Sequence, residues 1–354
     1  MLTRLIESAI IHIWNRFHIN EVFKMATISD VAKLAGVGKT TVSRVLNDHP
    51  YVSDMNREKV EAAMAELNYV PSIAAKKLRG QSSQIVGVIV SRITNPFFTS
   101  LVDAIEQEAV KKGYRLIFFQ SRSDKSEELR FLDMLKNGQV DGIIMCSVEN
   151  DIALIEPYRQ FGVIILCNEV FKGSKLPNVA LDQTQGAYLG TKYLIEQGHQ
   201  TIAYCTGGDY EGGNHGQARN KGFQKAMSES NLSVDNNLIF RQVHTVADGR
   251  KVAKQLMDLT HLPTAVFTSG DEIASGMIAQ FLEAGVKVPE DIAVLGYDNQ
   301  PFAALVAKPL TTVNQPVQAL GRETFRCFIA AINAKPYKMN SEDLTLTLVK
   351  RESA

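Results

Sequence analysis

From Ile85 onward the chain repeats one pattern, a short continuous apolar run followed by a helical stretch. Ile85-Val86-Gly87-Val88-Ile89-Val90 contains no polar residue, as expected of a strand buried on both faces. Similar runs recur at Leu116–Phe119, Gly142–Cys146, Val163–Cys167, Ile202–Cys205, Ala265–Thr268 and Ile292–Gly296. Helical stretches separate most of them, at Phe98–Lys111, Ser126–Lys136, Ile152–Phe161, Gln185–Gln197, Gln217–Ser228, Gly249–Met257 and Glu272–Ala284. Alternating βαβ units require parallel sheets with helices on both faces. The number of runs suits two doubly wound subdomains better than one. A cleft between them, at the strand C-termini, is then the default ligand site.

Met25–Gly80 has a different period. Val31, Ala32 and Ala35 form one apolar stripe, and Val42, Val45 and Leu46 a second, each at helical spacing. Gly36 falls just past the first stripe, where a helix C-terminus favours a residue that tolerates positive φ. The second helix opens on Lys39, Thr40, Thr41, Ser43 and Arg44, small polar and basic residues. Two short helices joined by a tight turn, the second so decorated, form a helix-turn-helix that presents its second helix to the DNA major groove. Pro50 stops the chain, Ser53 is placed to cap a third helix over Asp54–Leu67, and Val60, Ala63, Met64 and Leu67 share one face. They would close a small core over Val31, Val42 and Val45.

Ser72–Gly80 is too short and polar to hold a helix alone, and polar Gln81–Gln84 follows it. It reads as a linker that folds only when held by DNA and a partner chain. The N-terminal stretch Leu2–Ile11 faintly suggests a signal peptide, but Glu7, His12, Asn15, Arg16 and His18 interrupt it and no small-x-small site follows. Met25 is therefore the expected start, with residues 1–24 a non-native extension and an amphipathic arm the alternative.

A chain of 354 residues has room for about two or three domains. Taken alone, a formal net charge of zero speaks against a nucleic-acid partner. Local placement outweighs it: Met25–Gly80 carries eight basic residues against six acidic, with Lys76, Lys77 and Arg79 clustered at its end. Cys146, Cys167, Cys205 and Cys327 form no CxxC pair and read as buried small hydrophobes in a reducing cytosol. No apolar run reaches the length of a membrane span.

Thr27–Asn47, Glu66–Pro71, Lys77-Leu78-Arg79-Gly80, Val140-Asp141-Gly142-Ile143-Ile144, Leu295-Gly296-Tyr297-Asp298 and Pro309-Leu310-Thr311-Thr312-Val313 stand in one order that resembles the LacI/GalR family of bacterial transcription regulators. The resemblance covers essentially everything from Ala26 onward. It implies an α/β chain with an N-terminal three-helix helix-turn-helix DNA-binding domain and a periplasmic-binding-protein-like core of two doubly wound parallel-sheet subdomains. The expected bounds are 25–72 for the DNA-binding domain, 73–84 for the hinge, 85–182 with 317–340 for one subdomain, and 183–316 with 341–354 for the other. It also implies a homodimer on a near-palindromic double-stranded operator and a small-molecule effector in the cleft, with no cofactor, metal or membrane.

By resemblance, Lys39 and Thr40 read base edges, and Arg44 matches a base-contacting arginine whose paired donors suit guanine O6 and N7. Thr27, Ser43, Asn47, Ser53 and Asn56 suit phosphate contacts, which position without specifying. Ile28, Tyr51 and Tyr69 complete the expected DNA-binding set. Leu78 matches the residue wedged into the minor groove at the operator centre, kinking the duplex, with Lys77 and Arg79 near phosphates.

For the effector, Asn95-Pro96-Phe97-Phe98 follows the first core strand, so Phe97 or Phe98 is placed to stack on a sugar face, the other being core. Arg219 matches an effector-contacting arginine in the family's Arg-x-x-Gly-aromatic pattern, with a surface ion pair as its alternative role. Asp298 follows a strand at the ligand-binding edge, where a carboxylate accepts hydrogen bonds from vicinal hydroxyls. Asn168, at another strand end, and Asp271, which equally suits a helix N-cap, are further candidates.

No nucleophile elbow, H-E-x-x-H or P-loop is present, so an enzyme on this scaffold finds no support; a secreted receptor would need a signal peptide in place of Met25–Gly80. The expectation is a cytoplasmic, nucleoid-associated repressor of carbohydrate-utilisation genes. A purine or nucleoside sensor and a regulator controlled by a partner protein stay open.

Overall fold

The computed structural model describes residues 26–47, 49–69, 82–171, 173–211 and 216–354. The expected extension 1–24 and the expected hinge as far as residue 81, with Lys77, Leu78 and Arg79, lie outside the described residues. The chain divides into one unit ending at Gln81 and a second running from Ser82 to Ala354.

In the first unit, α1 (Ile28–Ala35), α2 (Lys39–Leu46) and α3 (Asp54–Glu66) enclose a small core. Val31, Val42 and Val60 are fully buried at its centre, with Leu46, Met64 and Leu67 packed around them. Thr27 starts α1 through a capping box: its hydroxyl bonds Asp30, and the Asp30 carboxylate accepts the Thr27 N–H at 2.8 Å. Gly36 ends α1 at φ 65°, and its N–H reaches the carbonyls of Ala32 and Lys33. A side chain there would meet the backbone cost of the left-handed region. Ser53 does lead α3, but its hydroxyl makes no capping bond.

In the second unit, strands β1 (Ile85–Val90), β2 (Arg115–Gln120), β3 (Gly142–Met145), β4 (Val163–Asn168) and β5 (Asn178–Ala180) form a parallel sheet in the order β2-β1-β3-β4-β5. Between them run α4 (Pro96–Lys111), α5 (Lys125–Lys136) and the single turn α6 (Ile152–Ile155). The stretch 152–161 is not one helix: after α6 it tightens to a 3₁₀ turn at Glu156–Gln160, where Pro157 has no N–H to give the preceding turn. A second sheet contains β6 (Ile202–Cys205), β7 (Ile239–Phe240), β8 (Ala265–Phe267), β9 (Ala293–Asp298), β10 (Thr311–Asn314) and β11 (Thr347–Val349), in the order β11-β10-β9-β8-β6-β7. All its pairs are parallel except β10 with β11. Helices α7 (Gln183–Glu196), α8 (Gln217–Glu229), α9 (Val246–Met257) and α10 (Asp271–Glu283) accompany it.

The chain passes from the first sheet to the second between β5 and α7. It returns after β10 as α11 (Val317–Ile332), which packs on α4, β3, β4 and β5. It then crosses again to place β11 beside β10. The short strands β5, β7, β10 and β11 carry too little apolar run to announce themselves. Thr311 and Thr312 are nevertheless fully buried, because their hydroxyls are taken up by the Ala354 carbonyl and Asp271. All four cysteines are buried and free. Among the described residues, no helix is long and apolar enough to cross a membrane.

Candidate functional site

In the first unit, Val42 and Val45 turn α2 inward, which leaves Lys39, Thr40 and Arg44 exposed along the opposite face, with Ser43 partly so. Asn47, Ser53 and Thr27 are exposed, Asn56 is partly buried, and Tyr51 is 84% exposed beside His49. Ile28 and Tyr69 instead pack against the small core, so each offers DNA only part of its surface. Gly38 precedes α2 without a side-chain cap. A helix N-terminus left open in this way favours a phosphate oxygen.

In the second unit, a cleft of about 2060 Å³ lies between the two sheets, lined by strand C-terminal ends and the loops that follow them. Asp298 is the last residue of β9, two positions beyond the run visible in the sequence, and its φ is 105°. Its Oδ1 accepts from Gln315 Nε2 at 2.6 Å. Burial raises its carboxyl above the usual range, opposed by the Arg219 charge. Arg219 lies over the Tyr297 ring, 3.7 Å from its centre. It donates from Nε to Gln183 Oε1 and from Nη1 to the Ser269 carbonyl, both at 2.9 Å. These bonds are not those of a surface ion pair. The pattern that carries Arg219 has a packing reason too: Gly222 passes so close to the Thr184 carbonyl of α7 that a Cβ would collide with it.

Gln183 joins the set. Its Oε1 also accepts from Tyr297 Oη at 2.8 Å, and its Nε2 donates to Gln315 Oε1 at 2.8 Å and Asn168 Oδ1 at 3.2 Å. Asn168 lines the cleft at the end of β4 with φ 77°, largely buried. Both aromatic candidates border the cleft, but Phe97 is core at 4% exposure. Phe98 is partly buried, edge-on to it with ring centres 5.5 Å apart, and lines the cleft.

Asp271 departs from expectation. It neither caps α10, where Gly270 holds that place, nor reaches the cleft. It is fully buried, with Oδ1 accepting from Thr312 Oγ1 at 2.6 Å and Oδ2 from Gln300 N at 2.7 Å. Burial, and then the nearby Asp298 charge, raise its carboxyl. Its buried oxygens are engaged by Thr312 and Gln300 and do not line the cleft.

Sequence reasoning passed over Arg92, Gln183, Glu272 and Gln315. Arg92 was findable, since it stands two residues past β1, at the ligand-binding edge. Gln183 and Gln315 carry no local signal, because only the crossing of the chain brings them together. Glu128 was equally silent: fully buried on α5, it accepts from the backbone of Glu149 and Asn150 at 3.0 and 2.8 Å and so fixes a cleft-lining loop. Among the described residues, no His, Cys, Asp or Glu group is placed to hold a metal ion.

Comparison with known proteins agrees with this architecture. Residues 27–72 match the family described as bacterial regulatory proteins, lacI family, and residues 191–354 match a periplasmic binding protein-like domain. The chain is 39% identical over 310 residues to the NTD biosynthesis operon regulator NtdR of Bacillus subtilis (strain 168), covering 87% of this chain and 93% of that one. It is 33% identical over 332 residues to the HTH-type transcriptional repressor PurR of Vibrio atlanticus, covering 93% and 98%. Among solved structures, a LacI family transcriptional regulator from Lactobacillus casei with bound glucose aligns with a TM-score of 0.71 at 38% identity, over 76% of this chain and 99% of that one. The lac repressor dimer bound to operator and the anti-inducer ONPF aligns with a TM-score of 0.77 at 28% identity, over 93% and 99%.

A helix-turn-helix unit joined to a two-sheet ligand-binding core defines a DNA-binding transcriptional regulator. The chain belongs to the lacI family of bacterial regulatory proteins.

Proposed function

We propose that this regulator is a homodimeric repressor of carbohydrate-utilisation genes whose operator affinity is set by a sugar or sugar phosphate in the cleft. The observation that carries the reading is the hydrogen-bonded set Arg219, Gln183, Gln315 and Asp298, which brings one cationic donor and one carboxylate to the wall of the cleft. Asp298 accepts from ligand hydroxyls, Arg219 donates, and Phe98 packs against a sugar face; Asn168 orients Gln183. The Lactobacillus casei regulator with bound glucose supports the ligand class.

On DNA, Lys39, Thr40 and Arg44 read base edges while Thr27, Ser43, Asn47, Ser53 and Asn56 hold phosphates. The effector acts by population shift, binding one arrangement of the subdomains better and changing the spacing of the two DNA units in the dimer. The purines are the second ligand class that the sequence leaves open. Titration of the chain with glucose, sucrose, glucose 6-phosphate, hypoxanthine and guanine, followed by calorimetry, separates the two. Binding of a sugar that is lost in Asp298→Asn is expected, and purine binding without sugar binding would reject the carbohydrate reading.

A further inference from the structure

We infer that Arg92 is a strap that holds the two subdomains closed over the cleft, an inference that rests on the cleft being the ligand site. Arg92 belongs to the first subdomain, just past β1. Its Nη2 donates to the His244 carbonyl at 2.8 Å and to Glu272 Oε2 at 2.7 Å, both on the second subdomain. Each acceptor is itself fixed. His244 leads into α9, whose Thr245–Asp248 capping box also accepts the His244 N–H. Glu272 sits in the first turn of α10, where the helix dipole favours a carboxylate.

The side chains of Arg92 and Glu272 are 29% and 19% exposed, so solvent screens this pair less than a surface pair. Covalently, the subdomains are joined only by the crossings near 182, 315 and 340, which leaves hinge motion as their relative freedom. A contact made by one guanidinium to two elements of the facing subdomain restrains that motion. Arg92 also lines the cleft, and its Nε and Nη1 make no hydrogen bond among the described residues. An acceptor oxygen on a ligand can therefore join the same guanidinium without displacing either bond, so ligand and strap favour the same closed arrangement.

Cys146 gives a reading of opening, because it lines the cleft yet is 1% exposed. Cys205, fully buried and outside the cleft lining, reports general unfolding. Iodoacetamide alkylation of each cysteine in the full chain, followed by peptide mass spectrometry, compares the unaltered protein with Arg92→Ala, Glu272→Ala and the double variant. Arg92→Ala should speed Cys146 alkylation by between about fivefold and thirtyfold with Cys205 unchanged. The double variant should be no faster than Arg92→Ala, since Glu272 acts through Arg92. An unchanged Cys146 rate, a parallel rise at Cys205, or additive effects in the double variant would each overturn the strap. Glucose in the same assay tests the ligand separately: failure to slow Cys146 in the unaltered chain counts against a sugar in the cleft and leaves the strap result standing.

Discussion

Gln183 Nε2 donates to Gln315 Oε1 at 2.8 Å, across 132 positions of sequence. Gln183 opens α7, just after the chain enters the second subdomain, and Gln315 follows β10, just before it leaves. Their far ends reach Arg219 and Asp298 respectively. A ligand held by those two residues would thereby be hydrogen-bonded, at one remove, to two of the three crossings between the subdomains.

Replacing Gln315 tests that connection. Gln315→Ala leaves Asp298 without its donor and removes one partner of Gln183. The chain should lose about 1–3 kcal/mol of stability in a denaturant melt, the usual cost of stranding buried polar groups. Gln315→Glu should lose more, because it sets a second carboxylate against Asp298. A loss under about 0.5 kcal/mol in both would show that the link is slack.

The neighbouring carboxylates Asp271 and Asp298 should make stability depend on pH. Both are raised in the folded protein, Asp298 to about 7. Between the ordinary carboxylate range and neutrality the folded state therefore binds more protons than the unfolded chain, and stability falls as pH rises through that window. Asp271→Asn keeps one acceptor for the Gln300 N–H and one donor for Thr312 while removing the charge. Thermal melts from pH 5 to pH 8.5 should show a flatter profile for this variant and a higher melting temperature at the alkaline end. An unchanged slope would mean that the pair is not the source.

Gly36→Ala places a side chain at φ 65° in the turn between α1 and α2. The expected cost is about 1 kcal/mol, confined to the first unit. Hydrogen exchange should quicken at α1 and α2 amides and stay unchanged in β1 and β3.

On DNA, Arg44→Ala and Ser43→Ala should differ in kind. Loss of a guanine-reading arginine should relax discrimination at one operator position by about 1–3 kcal/mol. Loss of a phosphate contact should weaken all sequences alike. Competition against operators substituted one base at a time distinguishes the two, and equal loss on every sequence for Arg44→Ala would remove it from the reading set.

What the sequence made legible follows from how local each cause is. The stripes of α1 and α2, the turn at Gly36 and the apolar run of β1 are local patterns, and each appears where its period places it. Asp298 was legible because strand C-termini line the clefts of such sheets. Asp271 was misplaced because an acidic residue opening a helix looks alike whether it caps the helix or accepts from a neighbouring strand; what decides is Thr312 on a strand 41 positions away. Phe97 and Phe98 could not be separated by sequence, since adjacent helix positions differ only in which one the core takes. Gln183, Gln315 and the bridge from Arg92 to Glu272 arise entirely from chain crossings, to which no periodicity points.

The proposed function rests on control of operator affinity by ligand in the cleft. Its most direct test is fluorescence anisotropy of the chain on a palindrome from the gene's own upstream region, titrated with the compound that binds in calorimetry, at one fixed salt concentration because phosphate contacts make affinity strongly salt-dependent. The expected result is a shift in operator affinity of at least about fivefold, the low end of typical allosteric coupling, abolished by Arg219→Ala. Specific operator binding that no bound compound shifts would rule out control by ligand in the cleft.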